Sequence, residues 1–206
     1  MPSVYIVGGD YSVKHMFEQS GWDIAGQVDK ASLLCFTGGS DVSPVLYGER
    51  CHPTTGCNWD RDVREMEIFG QGLEHSTPMV GICRGGQFLN VMCGGQLYQD
   101  VDGHAIGGTH TAFRTDDNTD RPYHVTSTHH QMMKPSDKGN ILVVAGSVQE
   151  VRTFDTMAYI RGIECVLYTR QKCLCFQPHP EFNRAIDTRE LFFDLIEKHL
   201  KLKVGE

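Results

Sequence analysis

The segment Thr77-Pro-Met-Val-Gly-Ile-Cys-Arg-Gly-Gly-Gln-Phe-Leu-Asn90 sets one cysteine, Cys83, where a short apolar run meets a helical pattern. The run is Met79 to Ile82 and the helical pattern begins near Gln87. Glycines stand two residues before the cysteine and two after it. A nucleophile at the tip of a strand-to-helix turn needs such neighbours, because the tight backbone leaves little room for Cβ atoms. The turn exposes the sulfur and aims N–H groups of the helix start at it. Those groups favour a thiolate and can hold an oxyanion. A buried structural cysteine is the plain alternative, and it loses ground to a second cluster downstream. Phe176-Gln-Pro-His-Pro-Glu181 follows the apolar run Cys173 to Phe176. His179 is suited to take the thiol proton and return it to a leaving amine, with Glu181 fixing the tautomer and supporting the imidazolium. Pro178 and Pro180 restrict the backbone on both sides of the histidine.

The elements that must position these groups read as an α/β sheet. Val4 to Val7, Leu33 to Phe36 and Met79 to Ile82 are short apolar runs, separated by helical patterns over Ser12 to Gln19 and Asp62 to Glu74. A further helical pattern covers Gln87 to Cys93. Such alternation predicts a parallel sheet with helices on both faces and a ligand crevice at the carboxyl ends of the strands. Gly38-Gly39 and Cys83 fall at those ends. The second half is β-rich, with Ile141 to Ala145, Gly162 to Tyr168 and Lys172 to Phe176 as strands and Arg170-Gln171 as a hairpin tip. A last helix is expected over Thr188 to Leu202, its apolar stripe facing the core. Asp102 to Arg121, rich in Gly, Thr, Asp and Asn, has no clear period and is expected to be a mobile flap over the site.

Six ordered motifs carry a family resemblance. They are Phe36-Thr-Gly-Gly-Ser-Asp-Val-Ser-Pro-Val-Leu-Tyr-Gly-Glu49, Asp60-Arg-Asp-Val-Arg-Glu65 and Gly81-Ile-Cys-Arg-Gly-Gly-Gln-Phe-Leu-Asn-Val91. Gly94-Gly-Gln-Leu-Tyr-Gln-Asp100, Ser127-Thr-His-His-Gln131 and Gln177-Pro-His-Pro-Glu181 complete the set. Together they resemble the class I glutamine amidotransferase-like cysteine hydrolases, and within them the γ-glutamyl hydrolase branch that includes γ-glutamyl-γ-aminobutyrate hydrolases. The resemblance implies a flavodoxin-like, doubly wound, mostly parallel sheet with a β-rich hairpin extension, here over one domain, residues 1–206. It implies that Cys83 is the nucleophile, His179 the general base and acid, and Glu181 its orienting carboxylate. The oxyanion hole is implied in the backbone of Gly39, with Gly38 second, and of Arg84. Gln87 and the loop Ser127, Thr128 and His129 are implied to line the glutamyl site, with His130 packing instead. Asp60, Arg61, Asp62 and Glu65 read as a partly solvated helix start. Gly86 and Pro178 depart from the bulkier and aromatic residues usual in relatives, and the segments between elements are short, which implies a more open crevice.

The activity so implied is hydrolysis of a γ-glutamyl amide through a thioester on Cys83, with a small-molecule substrate and no cofactor or metal. A glutaminase subunit feeding ammonia to a separate synthetase or ligase uses the same chemistry. A non-catalytic binding domain is the third reading, and the intact Cys, His and Glu set weighs against it. Composition fits these classes. At 206 residues and 40% hydrophobic, the chain can bury a core without disulfides or metal. A net charge of −7 argues against nucleic-acid binding. The first ten residues read as strand and turn rather than a signal peptide, and no run approaches the ~20 apolar residues of a membrane span. A cytoplasmic location is therefore expected, which makes disulfides among the eight cysteines an unfavoured reading. Cys51-His52 with Cys57 is an incomplete metal knuckle, and Cys173 with Cys175 share a strand face where burial is the simpler account than a redox pair. An apolar surface patch would serve a homodimer or a docked synthetase equally well.

Overall fold

The structure is a computed structural model that describes residues 1–105, 107–117, 119–182 and 186–204. Its strands are β1 (Ser3–Val7), β2 (Asp23–Ile24), β3 (Leu33–Phe36), β4 (Met79–Ile82), β5 (Gln96–Tyr98) and β6 (Asp100–Val101). They continue with β7 (Gly108–Arg114), β8 (Pro122–Ser127), β9 (Met132–Lys134), β10 (Asn140–Arg152), β11 (Met157–Tyr168) and β12 (Cys173–Phe176). The helices are α1 (Tyr11–Gln19), α2 (Trp59–Glu74), α3 (Arg84–Met92) and α4 (Ile186–Leu195), the last continued by a π-helical turn, Ile196–Leu200. The main sheet runs β2-β1-β3-β4-β12-β11-β10-β7-β8, with β6 also paired to β10, while β5 and β9 form a separate ribbon.

Its first half is parallel: β1 pairs β2 and β3, β3 pairs β4, and β4 pairs β12. From β12 onward every pairing is antiparallel. This is the flavodoxin-like α/β fold expected, with a β extension larger than one hairpin. β3, β4 and β12 are buried at every position, as central strands covered on both faces must be. Two apolar layers cover them. One joins Phe17, Trp22, Leu191 and Phe192, and the other joins Phe69, Phe88, Leu89 and Tyr168. Cys173 and Cys175 lie in the second layer, both fully buried, so their shared strand face packs as core. No described helix is long and apolar enough to cross a membrane.

Three expectations need correcting. The segment Asp102 to Arg121 is not a structureless flap, because Gly108–Arg114 is paired on both sides, to β8 and to β10. Residues 106 and 118 of it lie outside the described set. The pairing partners are remote in sequence, and most β7 side chains are only half-buried, which blurs the period-2 signal. Helix α3 starts at Arg84, directly after the cysteine, rather than near Gln87. Gly85 and Gly86 belong to the helix, whose first turn lies against neighbouring backbone. The C-terminal helix ends its regular α portion at Leu195 and closes at Lys201, whose φ is 60°. The expected hairpin tip does lie between β11 and β12.

Candidate active site

Strand β4 delivers Cys83 to the crevice, and the residue is held at φ 51° and ψ −112°. A non-glycine residue at positive φ costs about 1–3 kcal/mol and persists only where its surroundings enforce it. Here they do. The Cys83 N–H donates to Phe176 O at 2.8 Å, and Gln87 N–H donates to Cys83 O at 3.0 Å, closing the first helical turn. A Cβ on Gly81 would overlap the Gly85 carbonyl, and one on Gly85 would overlap Phe36 O. A Cβ on Gly86 would stand 2.8 Å from Phe176 O. The departure at Gly86 thus has a local cause, because α3 packs directly on the end of β12.

The Cys83 sulfur accepts from Gln177 Nε2 at 3.7 Å, and the N–H groups of the first α3 turn have no intrahelical acceptor. His179 Nδ1 lies 2.6 Å from Glu181 Oε1, and its ring stacks on Phe182 at 4.7 Å between centroids. The His179 N–H donates to Thr126 Oγ1 at 2.6 Å, anchoring the histidine to β8. Burial lowers the affinity of His179 for a proton, but the hydrogen bonds and charges of Cys83 and Glu181 prevail and push its pKa up to about 10. Cys83, His179 and Glu181, each marked in the sequence, meet in one place.

The Thr37-Gly38-Gly39 turn borders the same place. Gly39 has φ 134°, and a Cβ on Gly38 would stand 2.9 Å from His179 Cε1. Thr37 Oγ1 donates to Val7 O at 3.0 Å, while Arg61 donates to Gly38 O and to Thr37 O, both at 2.9 Å. With both carbonyls turned to Arg61, the turn is fixed from behind. Gly38→Ala is expected to push the imidazole off its partner and slow iodoacetamide alkylation of Cys83 at neutral pH by about tenfold. An unchanged alkylation rate would show that the ring has room to yield.

Arg61 also donates to Glu65 Oε1 at 2.7 Å. Glu65 and Asp62 in turn hold the Arg84 guanidinium, and the three side chains are 3%, 0% and 1% exposed. The partly solvated helix start expected here keeps Asp60 exposed and Arg61 half-buried, but Asp62 and Glu65 turn inward and join Arg84 in a charge network linking the cysteine elbow to the Gly38 turn. Desolvation brings the Arg84 pKa down to about 10. Sequence reasoning counted only the Arg84 backbone, because nothing local indicates which way the side chain turns.

A cavity of about 200 Å³ opens beside the sulfur, lined by Cys83, Gly39, Asp41, Gln87, Thr128 and His130, among others. Gln87 borders it with its amide donating to Gln131 O and Gln177 Oε1. Ser127 does not present its hydroxyl there: it is fully buried and donates to His104 O at 2.6 Å. His129 borders the cavity, but its Nδ1 faces Gln131 O at 2.9 Å and its Nε2 faces His104 at 3.0 Å. Both ring nitrogens are thus engaged within the protein. His130 is the more open of the pair, and its Nε2 lies 3.1 Å from Asp41 Oδ1, which raises its pKa. Asp41 was missed in the sequence, although it sits inside the Phe36–Glu49 motif. A larger cavity of about 610 Å³, lined by Gly107, Thr109, Thr126, Thr128, Glu181 and Phe182 among others, meets the small one at Thr128.

Residues 11–181 match the family described as Peptidase C26. The chain is 31% identical over 159 residues to the protein NtpR of Enterococcus hirae, covering 66% of each chain. It is 30% identical over 190 residues to a protein of Mycobacterium tuberculosis provisionally named a glutamine amidotransferase, covering 82% of this chain and 56% of that one. The chain thus spans less than two thirds of the length of these relatives. Among solved structures, a glutamine amidotransferase from Thermotoga maritima superposes over 98% of this chain and 86% of its own, with a TM-score of 0.65 at 17% identity.

Proposed function

This chain belongs to the Peptidase C26 family and is a class I glutamine amidotransferase-like protein, and we propose that it hydrolyses γ-glutamyl amides through a thioester on Cys83. The observation that carries the reading is Cys83 on its enforced positive-φ turn, beside His179 and Glu181, at the wall of a cavity of about 200 Å³. Such a space is smaller than the about 300–1,000 Å³ of drug-sized ligand sites and suits a single small acyl group. Asp41 offers a carboxylate to the α-ammonium of that group.

In the proposed reaction the Cys83 thiolate attacks the γ-carbonyl carbon, forming the C–S bond and moving the carbonyl pair onto oxygen. Backbone N–H groups of Gly39, or Gly38, and of Arg84 receive that oxyanion. The His179 imidazolium gives its proton to the amide nitrogen as the C–N bond breaks and the amine leaves. Neutral His179 then takes a proton from water, hydroxide attacks the thioester, and the sulfur departs as thiolate while glutamate is released. The 610 Å³ cavity beyond Thr128 has room for an amine leaving group larger than ammonia. That asymmetry favours a γ-glutamyl amine over glutamine.

The imidazolium must hold its proton for the amine, so activity should fall as pH rises through the His179 pKa of about 10. Replacing Glu181 by Gln removes a neighbouring anion and destabilises the imidazolium. That alkaline limb is then expected to move down by at least about one pH unit in kcat/KM. A limb unmoved in Glu181→Gln would assign it to another group.

The function itself is tested by incubating the purified chain with glutamine and a panel of γ-glutamyl amines while following glutamate. Rapid turnover of an amine conjugate with glutamine poor is the expected result. Slow glutamine hydrolysis alone, accelerated by an added synthetase or ligase, would overturn it in favour of a glutaminase subunit.

A further inference from the structure

Behind the His129 wall of the small cavity lies a second group of polar side chains that the proposed hydrolysis does not use. His104 comes from the turn after β6, His110 from β7, His129 from the turn after β8 and Glu164 from β11. His104, His129 and Glu164 are 1%, 3% and 0% exposed. His104 Nδ1 lies 3.0 Å from His129 Nε2 and 3.7 Å from Glu164 Oε1, and His129 Nε2 lies 4.0 Å from Glu164 Oε2. We infer that His104 Nδ1, His129 Nε2 and the Glu164 carboxylate form a binding site for a divalent transition-metal ion of the zinc type.

The donor set is right for that ion: two imidazoles and a carboxylate leave a fourth position for water. Ligands about 2.0–2.1 Å from a tetrahedral centre stand about 3.3 Å apart. The imidazole pair stands slightly closer than that and the two carboxylate oxygens slightly farther, with one ligand atom from each residue within 4.8 Å of the others, so the carboxylate must turn inward to seat the ion. Tautomers agree as well. His129 Nδ1 faces a carbonyl, Gln131 O, and must carry the proton, which leaves the Nε2 lone pair pointing into the cluster. With His104 bound through Nδ1, its proton moves to Nε2. That atom and Gln149 Oε1 both lie about 3 Å from where a Cβ on Gly162 would stand, so an acceptor is on the correct side. His110 Nε2 lies 2.9 Å from Glu164 Oε1 and acts as the outer partner that orients the carboxylate.

A hydrogen-bonded network without an ion is the alternative, and it leaves a carboxylate oxygen orphaned. Among the described residues, Glu164 Oε2 is buried and has no hydrogen-bond partner. An orphaned oxygen on a fully buried carboxylate is costly, and a cation among its neighbours relieves it. Burial lowers the His104 pKa and brings that of His129 down to about 4. The three ligands come from segments up to 60 residues apart in sequence, so an ion would tie the turn after β6 to β11 and to the wall of the small cavity.

The test uses the full chain, stripped with a chelator, dialysed, and titrated with zinc chloride against a chromogenic competitor. One zinc per chain is expected, with at least about tenfold weaker binding in Glu164→Gln and in His104→Phe. Cys83→Ala and the double variant Cys51→Ser/Cys57→Ser should bind as the parent does, which separates this site from the thiols. Cobalt substitution should give ligand-field bands with no thiolate charge-transfer band. Near-UV circular dichroism checks folding, and Glu164→Gln, which preserves side-chain shape, stands in should His104→Phe fail to fold. No uptake at millimolar zinc, equal uptake in both cluster variants, or loss confined to the cysteine variants would each overturn the assignment. None of these readouts depends on hydrolysis, so a failure of the proposed activity would leave the metal assignment untouched.

Discussion

Cys83→Ala should lower kcat for γ-glutamyl amide hydrolysis by about 10⁴-fold or more, and His179→Ala should fall by a similar factor. The two losses should not multiply when combined. Residues that act as one unit lose nearly all their contribution when any member is removed, so the double variant should resemble either single one. The residual rate over water would come from the Gly39 and Arg84 N–H groups and from binding. Alanine tolerates the φ of 51° at position 83 about as poorly as cysteine, so the fold should be little changed and substrate binding retained. Steady-state glutamate release and intact-mass detection of a glutamyl adduct check the prediction. An adduct should accumulate on the parent chain when deacylation is the slower step, and none should form on Cys83→Ala. Full turnover by Cys83→Ala would end the thioester mechanism.

The second large effect concerns stability. Arg84→Met removes the only cation that bonds directly to Asp62 Oδ1 and Glu65 Oε2 among the described residues. Asp62 would keep the Ser43 N–H at 3.0 Å, and Glu65 would keep Arg61 at 2.7 Å. Breaking one side of a buried ion pair costs about 3–5 kcal/mol, because the remaining charge is left uncompensated in a poor solvent. For a chain of this length that corresponds to a melting temperature about 6–20 °C lower. The triple variant Asp62→Asn/Glu65→Gln/Arg84→Met removes the stranded charges with the cation and should recover at least half of the loss. Arg84→Lys should fall between, since one ammonium cannot serve two carboxylates with the geometry of a guanidinium. Melting within about 2 °C of the parent for Arg84→Met would show that water reaches the carboxylates and that the network carries little.

The same network has a kinetic side. Arg61 clasps both Glu65 and the carbonyls of Thr37 and Gly38, so loosening Glu65 frees the turn that is proposed to hold the oxyanion. The Arg84→Met loss should therefore appear mainly in kcat, with KM much less affected, because the oxyanion exists only beyond the ground state.

The sequence by itself determined what depends on neighbours in the chain. Leu33–Phe36 and Met79–Ile82 are strands at their expected bounds, because four apolar residues closed by a turn leave few alternatives in an α/β chain. Cys83, His179 and Glu181 were legible because glycines and prolines mark where backbone is forced. Tertiary structure alone decided which way polar side chains face. Ser127 turned inward to His104 O, His129 turned to His104 and Gln131, and Arg84 ran beneath the elbow to α2. It also decided that Gly108–Arg114 is a strand, and that β10 runs to Arg152 across register shifts between Ile141 and Val148. The reason is common to these cases. A buried hydrogen bond or a ladder partner is chosen among groups tens of residues away, and no local pattern encodes that choice.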